Sequence, residues 1–454
     1  MAGEVLAHFR KADITPGYPV RLAGYFNERI STGVLDPLHM RLAVLKRGDR
    51  HLVFIQVDNC AIKTEDTDEI RRAIATRTAF QKHEIMLFTS HIHTGPDLVG
   101  FFGLQRDEHY LEELKTRIVE EAAALNPCER SFISIAQTTY EGLAFNRRWF
   151  MKDGTVVTNP PKKSPERREP EGAVDRAANS IIFKNERGRL QALFVNISNH
   201  TDSIGGNQIS ADWPGIIESH LNDRLETRIP VFPFLAPQGN INHLEFEDLR
   251  PQSSYDEAKK LGQAYAEIIA RSLSASKAID PEKLRGNEAK FEANEIILSI
   301  PSREISMAEL EEARKILDRA GEADKNAAKD LTAEDLAKGD PAVEQLFARE
   351  LVRFAETKPS DYNLPLQAFK LANIAFAAIP GEPFVEIGLA LKTIPGYDLV
   401  FPVALANGYF GYIPLKENVG RGGYEVRPGA ASQLSTDAAD RILSAFRAIL
   451  AGTP

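Results

Sequence analysis

Two histidines one residue apart stand in the segment Ser90-His91-Ile92-His93-Thr94-Gly95-Pro96. The apolar run at 85–89 reads as a strand leading straight into them. Residues i and i+2 of a strand point to the same side, so both imidazoles can converge on one point, as a divalent cation with nitrogen ligands requires. The Gly-Pro pair marks a turn at the strand end, where α/β folds place their sites. The plainer reading is two packed or surface histidines, because H-x-H is common by chance. A second strand-like run, 193–197, ends in Ser198-Asn199-His200-Thr201-Asp202. Alone, His200 reads as a satisfied loop histidine; repeating the His91 arrangement singles it out.

A third apolar run, 374–378, leads into Ile379-Pro380-Gly381-Glu382-Pro383-Phe384. The Glu382 carboxylate can ligate a metal, or it can cap the following helix through the helix's N-terminal amides. The fourth segment is Asn407-Gly408-Tyr409-Phe410-Gly411-Tyr412-Ile413, with Tyr424-Glu425 beyond it. So many tyrosines mark either packing or a substrate-lining wall.

These segments need a scaffold that gathers them. The 454 residues are 43% hydrophobic and 26% charged, a globular composition long enough for a large core. Strand-like runs at 42–46 and 52–57 flank the turn Arg47-Gly48-Asp49. Helical spacing follows at 64–76, a strand at 84–89, and an amphipathic helix at 110–125 stopped by Asn126-Pro127. Strand and helix alternating in this way indicate an α/β layer architecture. Residues 152–177, rich in Pro, Lys, Glu and Arg, read as a long surface excursion. Strands resume at 180–184, 190–197 and 231–235, with helices at 214–226 and 255–274. Polar helical stretches at 307–320 and 332–357 read as a helical insertion spanning 302–360. The chain then returns to strands near 371–378 and 399–404 and helices at 384–393 and 436–450. The expected fold is α/β, with mixed sheets covered by helices and a site at strand ends.

A net charge of −9 and a pI near 5.7 leave no basic excess to neutralise phosphates, which excludes a nucleic-acid binder. Two cysteines, Cys60 and Cys128, make neither a disulfide framework nor a Cys-rich structural zinc site. No apolar run approaches the roughly 20 residues of a membrane helix, so stable membrane insertion is not expected. The first ten residues lack the basic and apolar regions of a signal peptide, and the expected location is cytoplasmic.

The order and flanks of the four segments resemble the neutral, non-lysosomal ceramidases. That family carries T-H-T-H-S-G-P, matched by 90–96. Its I/V-H-x-x-S segment and the stretch beyond are matched loosely by His200 and Ile209-Ser210-Ala211-Asp212. Its L-P-G-E is matched by Ile379-Pro380-Gly381-Glu382. Its N-x-Y-x-x-Y-I/V and Y-E-x-A-S are matched by 407–413 and Tyr424-Glu425, with four extra residues before Ala431-Ser432. The opening Ala12-Asp13-Ile14-Thr15-Pro16 with Gly24-Tyr25 also looks like the family's start. The resemblance runs from about 10 to 435 and leaves the helical region at 300–360 unmatched.

The resemblance implies one ceramidase-like catalytic domain over 1–454 and a Zn2+ ion held by His91, His200, Glu382 and Tyr412. It puts His93 beside the metal as general base and later acid. Arg147, within Asn146-Arg147-Arg148, and Tyr424 fall where a developing oxyanion would be stabilised. Tyr409, Asn242 and His243 are the candidate substrate contacts. In Gly239-Asn240-Ile241-Asn242-His243, Asn242 stands where the family has an active-site serine, and an amide cannot act as that nucleophile. The chain also stops at Pro454, leaving no room for the family's C-terminal β-sandwich domain. Both departures point to a smaller, more polar N-acyl compound than ceramide. The expected activity is zinc-dependent cleavage of an amide C–N bond by metal-activated water on a small-molecule substrate. A lactone, ester or sugar-derived substrate, or a non-catalytic binding role on the same fold, are the alternatives.

Overall fold

Three sheets, each ending in a parallel strand pair, make up the frame in the computed structural model. It describes residues 4–284, 290–320 and 333–451; the outermost ends of the expected 1–454 domain, part of the 302–360 insertion and the expected helix start at 332 lie outside them. The first sheet orders Ile85–Thr89, Arg50–Val57, His39–Arg47, Leu6–Asp13 and Glu129–Arg130 side by side. The second orders Val231–Leu235, Leu190–Ile197, Ala178–Lys184, Phe132–Ala136 and Lys277–Ala278; the third orders Phe291–Pro301, Asp361–Leu371, Ile374–Ala378 and Leu399–Val403. Pairing is antiparallel except for one parallel pair per sheet: Arg50–Val57 with Ile85–Thr89, Leu190–Ile197 with Val231–Leu235, and Ile374–Ala378 with Leu399–Val403.

Parallel neighbours need a crossover, and each pair has a helix between its strands: Thr64–Arg77, Asp212–Arg224 and Val385–Lys392. Three β-α-β units therefore point their carboxyl ends toward a common place. Phenylalanines hold them together. Phe54, Phe88, Phe194, Phe234, Phe376 and Phe401, two from each parallel pair, lie in one buried cluster. Phe88 stacks on Phe234 at 4.3 Å, and Phe54 tilts against Phe376 at 4.9 Å. Backbone and amide bonds stitch the edges across sheets. Asn407 N–H donates to Leu87 O (2.7 Å) and Ala404 N–H to Leu235 O (2.9 Å). Asn196 Nδ2 donates to both Phe234 O (3.1 Å) and Pro402 O (3.0 Å).

Two expectations need correction. The single strand expected near 371–378 is a hairpin, turning at Ala372-Asn373, with Ala372 in the left-handed region at φ 53°. The excursion at 152–177 contains strands Val156–Thr158 and Arg167–Pro170, which pair with Arg148–Met151 in a small sheet. Most of its residues are exposed or half-buried, as a surface excursion requires, but Glu171 turns inward to pair with Arg148. Helices Met307–Ala320 and Pro341–Thr357 occupy the expected insertion. The second begins at Asp340, whose carboxylate accepts from Ala342 N–H, with proline in the first turn. It packs Val343, Leu346 and Phe347 against Phe26, Phe102 and Tyr424. No described helix is long and apolar enough to cross a membrane.

Candidate metal centre

The strand Ile85–Thr89 delivers Ser90 and then His91, whose backbone is left-handed at φ 58°. Such a conformation costs a non-glycine residue free energy and persists only where the surroundings enforce it. Here it turns the imidazole ring inward: His91 Nδ1 lies 3.0 Å from Cys60 O. With the Nδ1 proton assigned to that bond, Nε2 carries a lone pair. That nitrogen faces His200 Nε2 at 3.2 Å, His93 Nε2 at 3.3 Å and Glu382 Oε2 at 3.1 Å.

A carboxylate only accepts, so with this tautomer His91 Nε2 and Glu382 Oε2 are two buried acceptors facing each other, which calls for a cation between them, either a proton or a metal ion. His93 and His200, whose Nδ1 atoms have no partner, can each turn a lone pair at Nε2 toward His91. Glu382 Oε2 is enclosed and has no geometrically sound hydrogen bond, whereas Oε1 accepts from Tyr409 O–H at 2.9 Å. Burial works against protonation of His91, but the Glu382 carboxylate outweighs it and holds the pKa well above the ordinary value. Burial lowers His93 and His200 well below theirs, assisted by positive charge on His91 and Arg147. His91, His200 and Glu382 present donor atoms all within 4.8 Å of one another, and Cys60, His91 and His93 form a second such group. Imidazole nitrogens with one carboxylate oxygen fit zinc or a similar divalent ion. The capping alternative for Glu382 falls away, because its helix starts later, at Val385, with Phe384 at the cap position.

Glu382 pairs in parallel with Tyr412, which places the expected fourth ligand beside the third. Tyr412 O–H lies 3.1 Å from Tyr424 O–H. Burial, helped by Glu382, pushes the Tyr412 phenol well above its ordinary pKa, so it is protonated in this arrangement. The Arg147 guanidinium carbon stands 5.4 Å from the Tyr412 ring and 5.3 Å from the Tyr424 ring. Arg147 Nε donates to Glu425 Oε1 (2.9 Å) and Nη2 to Gly239 O (2.7 Å). Glu425 therefore fixes the arginine between the two phenols.

No protein-family model matches the chain, and a search of curated proteins gives no match. Solved structures do match. A ceramidase complexed with C2 aligns with TM-score 0.70 over 98% of this chain and 74% of its own, at 16% identity. The neutral ceramidase from Pseudomonas aeruginosa aligns with TM-score 0.68 over 98% of this chain and 73% of its own, at 17% identity. The fold is that of the neutral ceramidases.

Within this ceramidase-like fold the candidate residues line a single cavity of about 1110 Å³. His91, His93, His200, Glu382, Tyr412, Arg147, Tyr424, Tyr409, Asn242 and His243 all reach its wall. The three candidate substrate contacts each spend polar atoms on protein partners. Tyr409 spends its hydroxyl on Glu382, a positioning contact. His243 donates from Nε2 to Gln252 O at 2.7 Å, which ties it to a loop. Asn242 Nδ2 donates to Asn159 Oδ1 (2.8 Å), while its Oδ1 accepts from Leu244 N–H (3.1 Å).

Sequence reasoning missed Cys60, Tyr25, Asp202, Asn159 and the anchoring role of Glu425. Tyr25 O–H donates to Asp202 Oδ1 at 2.9 Å, and that oxygen lies 3.8 Å from His93 Nδ1. Tyr25 and Glu425 sat inside noted dipeptides, Gly24-Tyr25 and Tyr424-Glu425; Asp202 and Asn159 had no spacing signal. Gly24 is a steric requirement: at φ +86°, a Cβ there would lie 2.4 Å from His93 Nδ1. Gly24→Ala is expected to displace the imidazole and lower kcat by about 10²-fold, the cost of roughly 1 Å of misplacement. Steady-state rates alongside metal content check this, since the metal should remain.

Proposed function

We propose that this protein is a zinc-dependent hydrolase that cleaves the C–N bond of an N-acyl compound. The observation that carries the reading is the convergence of His91, His200 and Glu382 on one point on the wall of the cavity, with His93 Nε2 3.3 Å from His91 Nε2. The ceramidase-like fold supports amide cleavage by analogy. Zn2+ would be held by His91, His200 and Glu382, with Tyr412 as the further oxygen donor. A bound zinc ion supplies a water that ionises near neutral pH and a positive charge for the substrate carbonyl.

The remaining steps belong to side chains. His93, kept neutral by burial, accepts the proton of the attacking water at Nε2 and returns it to the departing nitrogen. Arg147 and Tyr424 offer N–H and O–H donors to the oxygen that gains charge as the carbonyl becomes tetrahedral. Tyr409 holds Glu382 in register. Asn242, engaged by Asn159 and Leu244 N–H, adds a neutral polar wall in place of a nucleophile; this favours keeping lactones, esters and sugar-derived compounds as the second reading. Both cysteines are free, in keeping with a reducing compartment such as the cytoplasm.

Elemental analysis of the purified protein is the test. About one zinc per chain is expected, followed by activity in an amide, ester and lactone screen. A second equivalent would assign Cys60 and His93 to another ion. No metal after zinc is supplied would reject the hydrolase and leave a binding protein on this fold.

A further inference from the structure

The cavity extends well past the metal centre. Thr64, Glu65, Asp68, Arg71 and Arg72 line it, and these positions share one face of helix Thr64–Arg77. At 1.5 Å per residue the stretch from 64 to 72 covers about 12 Å. The helix starts beside the centre, because a Cβ on Gly408 would lie 2.1 Å from Thr64 Oγ1. Cys60, just upstream, has its Sγ 3.6 Å from His91 Nδ1. The cavity therefore has an arm leading outward along this helix.

The two walls of the arm differ in chemistry. Opposite the helix stand Ile297, Tyr362 and Pro365, on the antiparallel strands Phe291–Pro301 and Asp361–Leu371, where Ile297 faces Pro365 in register. Ile297 is 57% exposed, an apolar side chain without a cover. On the helix side, three cations gather at the outer end: Arg71, Arg72 and Lys82. They share two carboxylates. Asp68 takes Arg72 (2.6 Å) and Lys82 (2.7 Å), and Glu295 takes Arg71 and Lys82. Glu65 and Lys63 also line the arm, so four cations stand against three carboxylates and one positive charge is left over, in a chain whose net charge is −9.

Resting on the hydrolase reading, we propose that this arm binds the distal limb of an elongated N-acyl substrate. That limb is apolar along Ile297, Tyr362 and Pro365 and ends in an anionic group, a carboxylate or a phosphate, held by Arg72 and Lys82, while Arg71, buried against Glu295, adds only its charge. The apolar wall removes the chain from water, while the surplus charge selects the end group. Neutral-ended chains of equal length gain only the first contribution.

Two series of probes test this on the zinc-loaded protein: ω-carboxyacyl anilides and N-acetyl ω-amino acids, each against its ω-methyl counterpart. An ω-phosphonate anilide separates phosphate from carboxylate preference. Calorimetric binding and kcat/KM are both read. In at least one series the anionic member is expected to bind about two- to fivefold more tightly, the worth of an exposed ion pair, and the ratio should shrink with added salt. In R72Q/K82Q that ratio is expected to fall to about one. Arg72→Gln alone, at a side chain 71% exposed, is the companion variant that leaves the Lys82–Glu295 contact in place, and it should lower the ratio in part. Equal binding of both members in both series, or a preference that survives the substitutions in folded protein, overturns the proposal. Selective binding without hydrolysis of any probe would uphold the arm and reject the hydrolase.

Discussion

Replacing His91 by alanine is expected to remove the metal and lower turnover by on the order of 10³-fold, whereas His93→Ala should keep the metal and still lose about 10²–10⁴-fold. The two rings are close, with their Nε2 atoms 3.3 Å apart, but their surroundings assign them different work. His91 is fixed from both ends, by Cys60 O at Nδ1 and by the acceptor cluster at Nε2. Its removal takes away the nitrogen around which His200 and Glu382 are grouped. His93 has its Nδ1 enclosed, with no hydrogen-bond partner, beside Asp202. A ring in that setting can move a proton without its loss dismantling the donor set. Metal analysis and single-turnover rates on both variants separate these roles. Loss of zinc from His93→Ala would make His93 a ligand and bring the Cys60-His91-His93 group to the fore.

Three of the candidates, His91, His200 and Glu382, were legible because each comes within a few residues of the end of a strongly apolar strand. The runs at 85–89, 193–197 and 374–378 fall within the strands Ile85–Thr89, Leu190–Ile197 and Ile374–Ala378. An unbroken apolar run marks where such a strand ends, and polar residues just beyond it stand out. What the pattern does not carry is how separate strands come together. His91 and His200 are set beside Glu382 by contacts such as Asn196 to Pro402 and Phe88 on Phe234, all distant in sequence. The three β-α-β units also share a plan without sharing a sequence, so no internal repeat announced them. Strands with polar faces were lost altogether: Leu6–Asp13, which reads Leu-Ala-His-Phe-Arg-Lys-Ala-Asp, is held by its pairing with His39–Arg47. The small sheet around Arg148–Met151 escaped for a related reason, since its inward residues include charged ones that are stable there only through their partners.

Glu425 is the partner on which that region depends, and Glu425→Ala is expected to cost about 3–5 kcal/mol of unfolding free energy. Its carboxylate is wholly buried and meets two arginines, Arg147 Nε at 2.9 Å and Arg148 Nη1 at 2.8 Å, with Thr158 O–H donating at 2.6 Å. Arg147 is 3% exposed and Arg148 not at all. Removing the acid leaves buried positive charge without its carboxylate: Arg148 keeps Glu171 and Gly422 O, while Arg147 keeps Gly239 O and the Tyr412 hydroxyl, both neutral. Denaturant titration measures the loss. Activity should fall further than stability alone explains, because Arg147 is no longer held between Tyr412 and Tyr424. The pH dependence has a definite sign. Burial opposes ionisation of Glu425, but Arg147 and Arg148 outweigh it and hold its pKa below the ordinary value. A depressed carboxylate contributes its full stability above the unfolded pKa of about 4.3 and loses it as pH falls through the folded value. Wild type should therefore lose stability on acidification below about pH 4 more steeply than Glu425→Ala. Equal acid slopes in the two proteins would mean that this carboxylate does not anchor the arginines.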